Sequence, residues 1–300
     1  MKPLIFNLFG HRSLVTSVAR ILDMTMGRFD MRNFPDKETY LKINEIVQGR
    51  DIIIMDSLDR PNQKILPLLL VVQTMREFGA NQVGLMAPYL PYLRQDARFN
   101  AGEAITSRYF AELISDHFDW LLTVHPHLNR YQNLNEIYAI QAKVIESAIE
   151  MAHWIVENVE NPLLIGLSGG IEQWIARIAN NCDASYVLLK KIRRGDRMVE
   201  ISMPDMSHYV DYTPVLIDDI ISTGQTMIEA VNHLKKTKMS LPICLAVHAV
   251  FAEGAYRALQ NTGVRQIVTC NTIKHSSNRI DLARAISEGV LGEARLNRSI

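Results

Sequence analysis

Short apolar runs alternate with longer amphipathic segments along most of the chain. The apolar runs predict strands at Asp51–Asp56, Gln82–Tyr89, Trp120–His125, Pro162–Leu167, Tyr186–Lys190, Pro214–Ile217, Ile243–Phe251 and Gln266–Cys270. The segments between them predict helices near Leu14–Leu22, Asn62–Phe78, Ala104–His117, Ala142–Val159, Ile171–Asn180, Thr226–Lys236, Ala255–Asn261 and Leu282–Val290. This alternation predicts an α/β fold of βαβ units, with mainly parallel sheets flanked by helices.

The number of alternations predicts two similar domains in tandem. A chain of 300 residues is long enough for two domains of ordinary size. The segment 143–161 has the character of a crossover, and Asn161-Pro162 opens the second half. We therefore expect an N-terminal domain at 1–145 and a C-terminal domain at 146–300.

The amino-acid composition makes some classes of binding partner and some cellular locations less expected than others. Lys plus Arg and Asp plus Glu number 32 each, so a nucleic acid or a membrane surface is not expected as an electrostatic partner. The longest apolar run, Ile65–Val72, is too short to span a bilayer, and the N-terminus lacks the order of a signal peptide. The three cysteines are far apart and form no CxxC, which argues against disulfides and zinc and favours the cytoplasm.

The most specific pattern lies between Val215 and Thr226. An apolar run ends at Asp218 and Asp219, Ser222-Thr223-Gly224-Gln225-Thr226 follows, and a helical pattern then begins. A helix N-terminus offers unsatisfied N–H groups to an anion, and the carboxylates could hold sugar hydroxyls directly or through a metal. A helix cap after a buried strand would explain a lone Asp pair. The ordered combination instead indicates a socket for ribose 5-phosphate.

Two further segments carry polar groups that suit a nucleotide. Arg94-Gln95-Asp96 follows the predicted strand Gln82–Tyr89, and a guanidinium there could clamp a phosphate or stack on a base. The alternative is a solvated loop. Phe34-Pro35-Asp36-Lys37-Glu38 indicates by itself only a turn.

Two basic segments also have two interpretations each. His125 and His127 could be metal ligands or structural histidines, although Mg²⁺ prefers oxygen. The run from Lys190 to Arg197 could be an exposed hairpin tip. It could also be a mobile loop that closes over a transferring phosphate and stabilises developing negative charge.

Taken in order, these segments resemble the ribose-phosphate pyrophosphokinase (PRPP synthetase) family over nearly the whole chain. The resemblance implies two tandem type I phosphoribosyltransferase-like domains, the first binding ATP and the second ribose 5-phosphate. It implies attack of the ribose 1-hydroxyl on the β-phosphorus of Mg²⁺–ATP, which gives PRPP and AMP. It also implies Mg²⁺ as cofactor and a homo-oligomer built from dimers, often a hexamer.

The resemblance also assigns roles to individual residues. Phe34 would stack on adenine in the site of a neighbouring subunit, and Asp36 and Glu38 would bond the base. ATP would contact Arg94, Gln95, Asp96 and His127, the last beside the metal. Lys191 and Arg193 match a catalytic Lys-x-Arg pair. Asp218, Asp219, Ser222, Thr223, Gly224, Gln225 and Thr226 match the ribose-phosphate loop.

Ser168 is the main departure from the family pattern. It stands where the family has an Asp that helps to hold metal and ribose, and a hydroxyl is a poor Mg²⁺ ligand beside a carboxylate. Two alternatives to an active synthetase therefore stay open: a weakly active or inactive regulatory paralogue, and a phosphoribosyltransferase.

The role of Lys191 can be tested directly. Because its charge would act on the transition state, Lys191→Ala should lower kcat by about 100-fold or more, on the order of 3 kcal/mol. Steady-state kinetics measure this, and a nearly normal kcat would remove Lys191 from the mechanism.

Overall fold

The structure, a computed structural model, describes residues 2–167, 169–194, 198–202 and 204–296. These residues form two compact units. The first extends to Ile145 and includes the helix that begins at Ala283, whereas the second is Glu146–Leu282.

The strands of the first unit are β1 (Leu4–Phe6), β2 (Thr25–Met26), β3 (Phe29–Asn33), β4 (Thr39–Ile43), β5 (Asp51–Met55), β6 (Gln82–Ala87), β7 (Trp120–Val124) and β8 (Gln141–Ile145). Those of the second are β9 (Pro162–Gly166), β10 (Ser185–Leu188), β11 (Lys190–Arg194), β12 (Met198–Ser202), β13 (Thr213–Ile220), β14 (Ile243–His248), β15 (Gln266–Cys270) and β16 (Asn278–Ile280). The α-helices are α1 (Arg12–Ile21), α2 (Pro61–Glu77), α3 (Thr106–His117), α4 (Ala148–Asn158), α5 (Glu172–Cys182), α6 (Gln225–Leu234), α7 (Ala255–Asn261) and α8 (Ala283–Leu296).

Each unit contains one six-stranded sheet, and the two sheets have the same strand order. The first is β2-β1-β5-β6-β7-β8 and the second is β10-β9-β13-β14-β15-β16. All neighbouring strands in both sheets are parallel. An antiparallel hairpin, β3–β4 or β11–β12, is inserted at the same point of each unit, before the third sheet strand. The predicted α/β class with parallel sheets is confirmed.

Helices cover both faces of each sheet. In the first unit, α2 and α3 pack on the face that carries Leu4, Phe6, Ile52 and Ile54, while α8 packs on α1 and on the strands β7 and β8. In the second unit, α6 and α7 cover the face that carries Leu163, Ile165 and Leu216. Helices α4 and α5 pack against each other, and α5 contacts β9 and β10.

The helix after the last strand of each unit belongs to the other unit. Helix α4 follows β8 but lies in the second unit, and α8 follows β16 but lies in the first. The sequence analysis assigned the segment of α8 to the C-terminal domain. The structure places it in the first unit, where it packs on α1, β7 and β8. Gly289 permits a close approach to the two strands. A Cβ at Gly289 would lie 3.0 Å from Ile145 and 3.2 Å from Leu122.

The prediction of a helix from Ala142 was wrong. Gln141–Ile145 is strand β8, which pairs with β7, and α4 begins only at Ala148. The polar residues Gln141 and Lys143 interrupt the apolar run by which the other strands were found. Strands β1, β2 and β16 were missed because two or three residues give no periodic signal. None of the helices in the described part of the chain is long and apolar enough to cross a membrane.

Gly84 provides the space for the ring of Trp120. The two residues are register partners on β6 and β7, and a Cβ on Gly84 would lie 1.9 Å from Cε2 of Trp120. Gly84→Ala should therefore destabilise the first unit by about 1–3 kcal/mol through overpacking, as measured by urea unfolding. Gly292→Ala in α8 is the matched control, since nothing lies within 4 Å of its added Cβ. It should stabilise by up to about 1 kcal/mol through helix propensity. Equal effects of the two changes would contradict the packing argument.

Candidate active site

Strand β13 ends in two carboxylates. Asp218 and Asp219 are consecutive strand residues, so their side chains leave opposite faces of the sheet. Asp219 is 6% exposed, whereas Asp218 is half-buried. The N–H of Asp219 donates to Oδ1 of Asp218 (3.1 Å), and that of Ile220 donates to Oδ1 of Asp219 (2.8 Å). The local backbone thus orients both carboxylates at the carboxyl edge of the sheet, where parallel sheets bind ligands.

Helix α6 presents its N-terminus at the same edge. Its N-cap is Gly224, whose φ of 72° is a left-handed conformation that glycine adopts readily. Gly224 has no side chain that could cap the helix, and the N–H of Gln225 donates to Oγ1 of Thr223 (3.5 Å). The side chain of Gln225 bonds Glu229 along the helix instead (3.1 Å). The N–H groups of the first turn and the helix dipole favour an anion such as a phosphate.

Backbone hydrogen bonds connect the loop before α6 to the segment after β14. The N–H of Ile221 donates to the carbonyl of His248 (3.1 Å). In return, Phe251 donates to the carbonyl of Ile221 (2.9 Å) and Ala252 to that of Ser222 (3.0 Å). The segment from Asp218 to Thr226 is thus attached to the segment after β14. We call it the ribose-phosphate loop after the family loop that its sequence resembles.

In the first unit, the predicted segment Arg94-Gln95-Asp96 lies after β6. Arg94 is exposed, whereas the side chain of Asp96 is only 1% exposed. Neither carboxylate oxygen of Asp96 accepts a hydrogen bond from the described residues, and its cationic neighbour is Nε of Arg130 at 3.5 Å. The carbonyl of Asp96 also accepts from the hydroxyl of Tyr131 (3.4 Å).

Arg130 and Tyr131 were not predicted as site residues. They follow His127 in the loop after β7, so this loop contacts the loop after β6. A cation and an aromatic close behind His127 were the available sequence signal. His127 itself is half-buried at this edge.

The loops after three neighbouring strands contain strained backbone. Arg60 after β5, Tyr92 after β6 and His125 after β7 have φ values of 52°, 65° and 35°. A left-handed conformation is uncommon for non-glycine residues and persists where the surroundings impose it. Three such residues at the carboxyl edge of adjacent strands favour a functional surface there.

Phe34 lies at the tip of the β3–β4 hairpin and is 39% exposed. Its N–H donates to the carbonyl of Glu38 (2.8 Å), and Asp36 accepts the N–H of Glu38 (3.2 Å). The guanidinium carbon of Arg32 lies 4.9 Å from the ring centre of Phe34 and 4.4 Å from that of Tyr40. Cation–π attraction therefore orients an exposed aromatic face before any ligand binds.

Three predicted residues are described only in part or not at all. Lys191 and Arg193 lie in β11, where their register partners on β12 are Ile201 and Val199. The structure describes the backbone of these two residues and not their side chains. Ser168 lies outside the described residues.

The loop after β1 encloses Asp56, which directly follows β5 and is 1% exposed. Its carboxylate accepts the N–H groups of Leu8 (2.6 Å) and Phe9 (2.9 Å) and the amide of Asn7 (2.8 Å). Burial raises the pKa of Asp56 to about 7, and the N–H donors and the charge of Lys64 oppose this only in part. The sequence analysis took Asp56 only as a strand end, although an apolar run ending in Asp also marked Asp218.

The side chains at the carboxyl edges of the two sheets are better suited to Mg²⁺ than to a metal ion that needs all of its ligands from the protein. Among the described residues, no three His, Cys, Asp or Glu side chains form a metal-binding group. Mg²⁺ commonly takes one or two carboxylates, with substrate phosphates and water as its other ligands. Asp218 and Asp96 are carboxylates of this kind, and the imidazole of His127 is a poorer match.

Two parallel sheets of the same order, with a double-Asp strand end leading into a glycine-capped helix, define a tandem phosphoribosyltransferase-like fold. Residues 3–117 match the family described as the N-terminal domain of ribose phosphate pyrophosphokinase, and residues 133–284 match the phosphoribosyl transferase domain. The chain belongs to the ribose-phosphate pyrophosphokinase family and is an enzyme of that family.

Individual relatives agree with this assignment. The chain is 30% identical over 281 residues to the ribose-phosphate pyrophosphokinase of Sulfurisphaera tokodaii, covering 91% of this chain and 95% of that protein. It is 27% identical to that of Methanothermobacter thermautotrophicus, covering 92% and 96%. The phosphoribosylpyrophosphate synthetase structure from Mycobacterium smegmatis shares its fold, with a TM-score of 0.84, 20% identity and coverage of 98% and 99%.

The protonation of Asp56 can be tested through the pH dependence of stability. A carboxyl whose pKa is raised on folding stabilises the folded state fully below its unfolded pKa of about 3.9 and loses this contribution as pH rises through 7. The Asp56→Asn variant has no titratable side chain at this position. Its urea midpoint should therefore not show this decrease as the pH rises. Between pH 5 and 7 the stability difference between the two proteins should change by about 1 kcal/mol per pH unit. A difference independent of pH would show that Asp56 is ionised in the folded protein.

Proposed function

We propose that the chain transfers diphosphate from Mg²⁺–ATP to the 1-hydroxyl of ribose 5-phosphate, giving PRPP and AMP. The observation that carries this proposal is the ribose-phosphate loop, where a helix N-terminus with a glycine N-cap adjoins two oriented carboxylates. In the proposal, Ser222, Thr223, Gly224, Gln225 and Thr226 bind the 5-phosphate, and Asp218 and Asp219 hold the ribose hydroxyls.

The first unit is proposed to bind ATP. Arg94 is exposed and could stack on the base or pair with a phosphate, while Gln95 and Asp96 offer polar groups from the same loop. Asp96 has oxygens that no described hydrogen bond satisfies, so a donor on the ligand would relieve the cost of its burial. His127 would contact the phosphates from the loop after β7.

The reaction itself requires little covalent chemistry from the protein. The 1-hydroxyl oxygen forms a bond to the β-phosphorus and loses its proton. The bond from that phosphorus to the oxygen shared with the α-phosphorus breaks, and AMP leaves. Lys191 and Arg193 would neutralise the charge that develops on the transferring group. When bound, Mg²⁺ would neutralise phosphate oxygens. In the second unit Asp218 would hold it, and in the first unit the family resemblance places His127 beside the metal. Ser168 lies outside the described residues.

We also propose a dimer-based homo-oligomer, in which Phe34, Asp36 and Glu38 serve the ATP site of a neighbouring subunit. Its support is the exposed ring of Phe34, already oriented by Arg32 on a hairpin that is separate from the main sheet. A ring exposed and fixed in this way is suited to stacking on a base.

A phosphorus NMR time course with Mg²⁺, ATP and ribose 5-phosphate tests the proposed activity. PRPP and AMP should appear together at equal rates. Asp218→Asn should lower kcat/KM for ribose 5-phosphate by about 10- to 100-fold, since a hydrogen bond to a charged group is lost. Asp116→Asn, an exposed change on α3, should leave it unaltered.

Two other results would overturn the proposal. Intact ATP, with ribose 5-phosphate binding shown by calorimetry, would indicate a regulatory paralogue. Diphosphate release from PRPP and a base without ATP would indicate a phosphoribosyltransferase.

A further inference from the structure

Three aromatic rings pack together beside the ribose-phosphate loop. The ring centre of His275 lies 4.6 Å from that of Phe251 and 4.6 Å from that of Tyr256, and the latter two are 5.2 Å apart. The interplanar angles of 36°, 76° and 72° are tilted or edge-to-face arrangements, which aromatic pairs favour. All three rings are half-buried and come from the segments after β14 and β15, with α7.

This aromatic cluster is connected to the loop through the backbone of Phe251. Phe251 and its neighbour Ala252 donate to the carbonyls of Ile221 and Ser222, which begin the phosphate-binding part of the loop. Gly224 also lies close, because a Cβ there would be 3.9 Å from the carbonyl of Ala255. Movement of Phe251 would therefore move the ribose-phosphate loop.

His275 is itself held in place from the sheet. The N–H of Ser277 donates to Nδ1 of His275 (3.1 Å), so Nδ1 carries no proton and the neutral ring has its proton on Nε2. The hydroxyl of Ser277 bonds that of Thr269 on β15 (2.8 Å), and both residues are buried. Burial lowers the pKa of His275, in agreement with a neutral ring.

We propose that His275 is a positioning residue for ribose 5-phosphate. Its ring, fixed to β15 through Ser277, supports Phe251 and Tyr256 and thereby holds the loop carbonyls of Ile221 and Ser222 in place. This inference rests on the proposed function of that loop. It adds a residue that touches no substrate and lies 49 positions beyond Thr226 in the chain.

Two substitutions separate the ring from its hydrogen bond. His275→Asn removes the ring but keeps an acceptor for the N–H two residues on, as in an Asx turn. His275→Phe keeps the ring and removes the acceptor. His275→Asn should raise KM for ribose 5-phosphate about tenfold, with kcat and KM for ATP changed less than about twofold, because a misplaced loop weakens binding of one substrate. His275→Phe should restore most of this affinity.

Amide hydrogen exchange supplies a measurement that needs no ligand. The N–H groups of Phe251 and Ala252 should exchange faster in His275→Asn than in the wild type, and close to the wild-type rate in His275→Phe. His153→Asn is the control, since His153 is exposed on α4 of the same unit.

The outcomes distinguish this inference from the proposed function. Unchanged KM and exchange in His275→Asn, or equal losses for both substrates, would overturn the inference alone. A wild type that binds ribose 5-phosphate without turnover would overturn the proposed function alone, and calorimetric Kd values would then replace KM in the same comparison. A wild type that binds no ribose 5-phosphate would overturn both.

Discussion

Parallel pairing of β13 between β9 and β14 is the interaction on which the second unit depends. It places the end of β13 at the edge where β14 and β15 also end, so Asp218, the start of α6 and the segment after β14 meet there. Backbone hydrogen bonds then join these segments directly, from Phe251 to Ile221. Without this pairing, the carboxylates and the helix N-terminus would have no fixed position relative to the segment after β14.

The corresponding loop of the first unit has a different local structure. Helices α2 and α6 follow the third sheet strand of their units, and both have a left-handed N-cap, Arg60 and Gly224. In the first unit, however, Pro61 removes an N–H from the helix start. Lys64 reaches back to the carbonyl of Ser57 (2.8 Å) and to Asp59 (2.6 Å). This loop therefore satisfies its own polar groups, and the exposed polar residues lie after the next strand, at Arg94.

Two buried carboxyl groups of the first unit differ in their hydrogen bonds. Asp56 is enclosed by N–H donors from the loop after β1, which ties that loop to β5. Asp96 is equally buried but has only the ion pair with Arg130. An enclosed and satisfied carboxylate stabilises a loop, whereas a buried carboxylate without hydrogen bonds indicates a place where a ligand can contribute.

The sequence by itself determined the α/β class, the parallel sheets and the strand–turn–helix segment from Asp218 to Thr226, because periodicity and the Asp-Asp-to-Gly order are local properties of the chain. Helix Ala255–Asn261 and strand Gln266–Cys270 were predicted to the residue. Only the tertiary structure decided that α8 belongs to the first unit, that Arg130 pairs with Asp96 and that His275 packs on Phe251. The two side-chain contacts join residues that are 34 and 24 positions apart, and the whole second unit lies between β8 and α8 in the chain. No local sequence pattern encodes such contacts. Their formation depends on which strands pair and which faces remain for helices to cover.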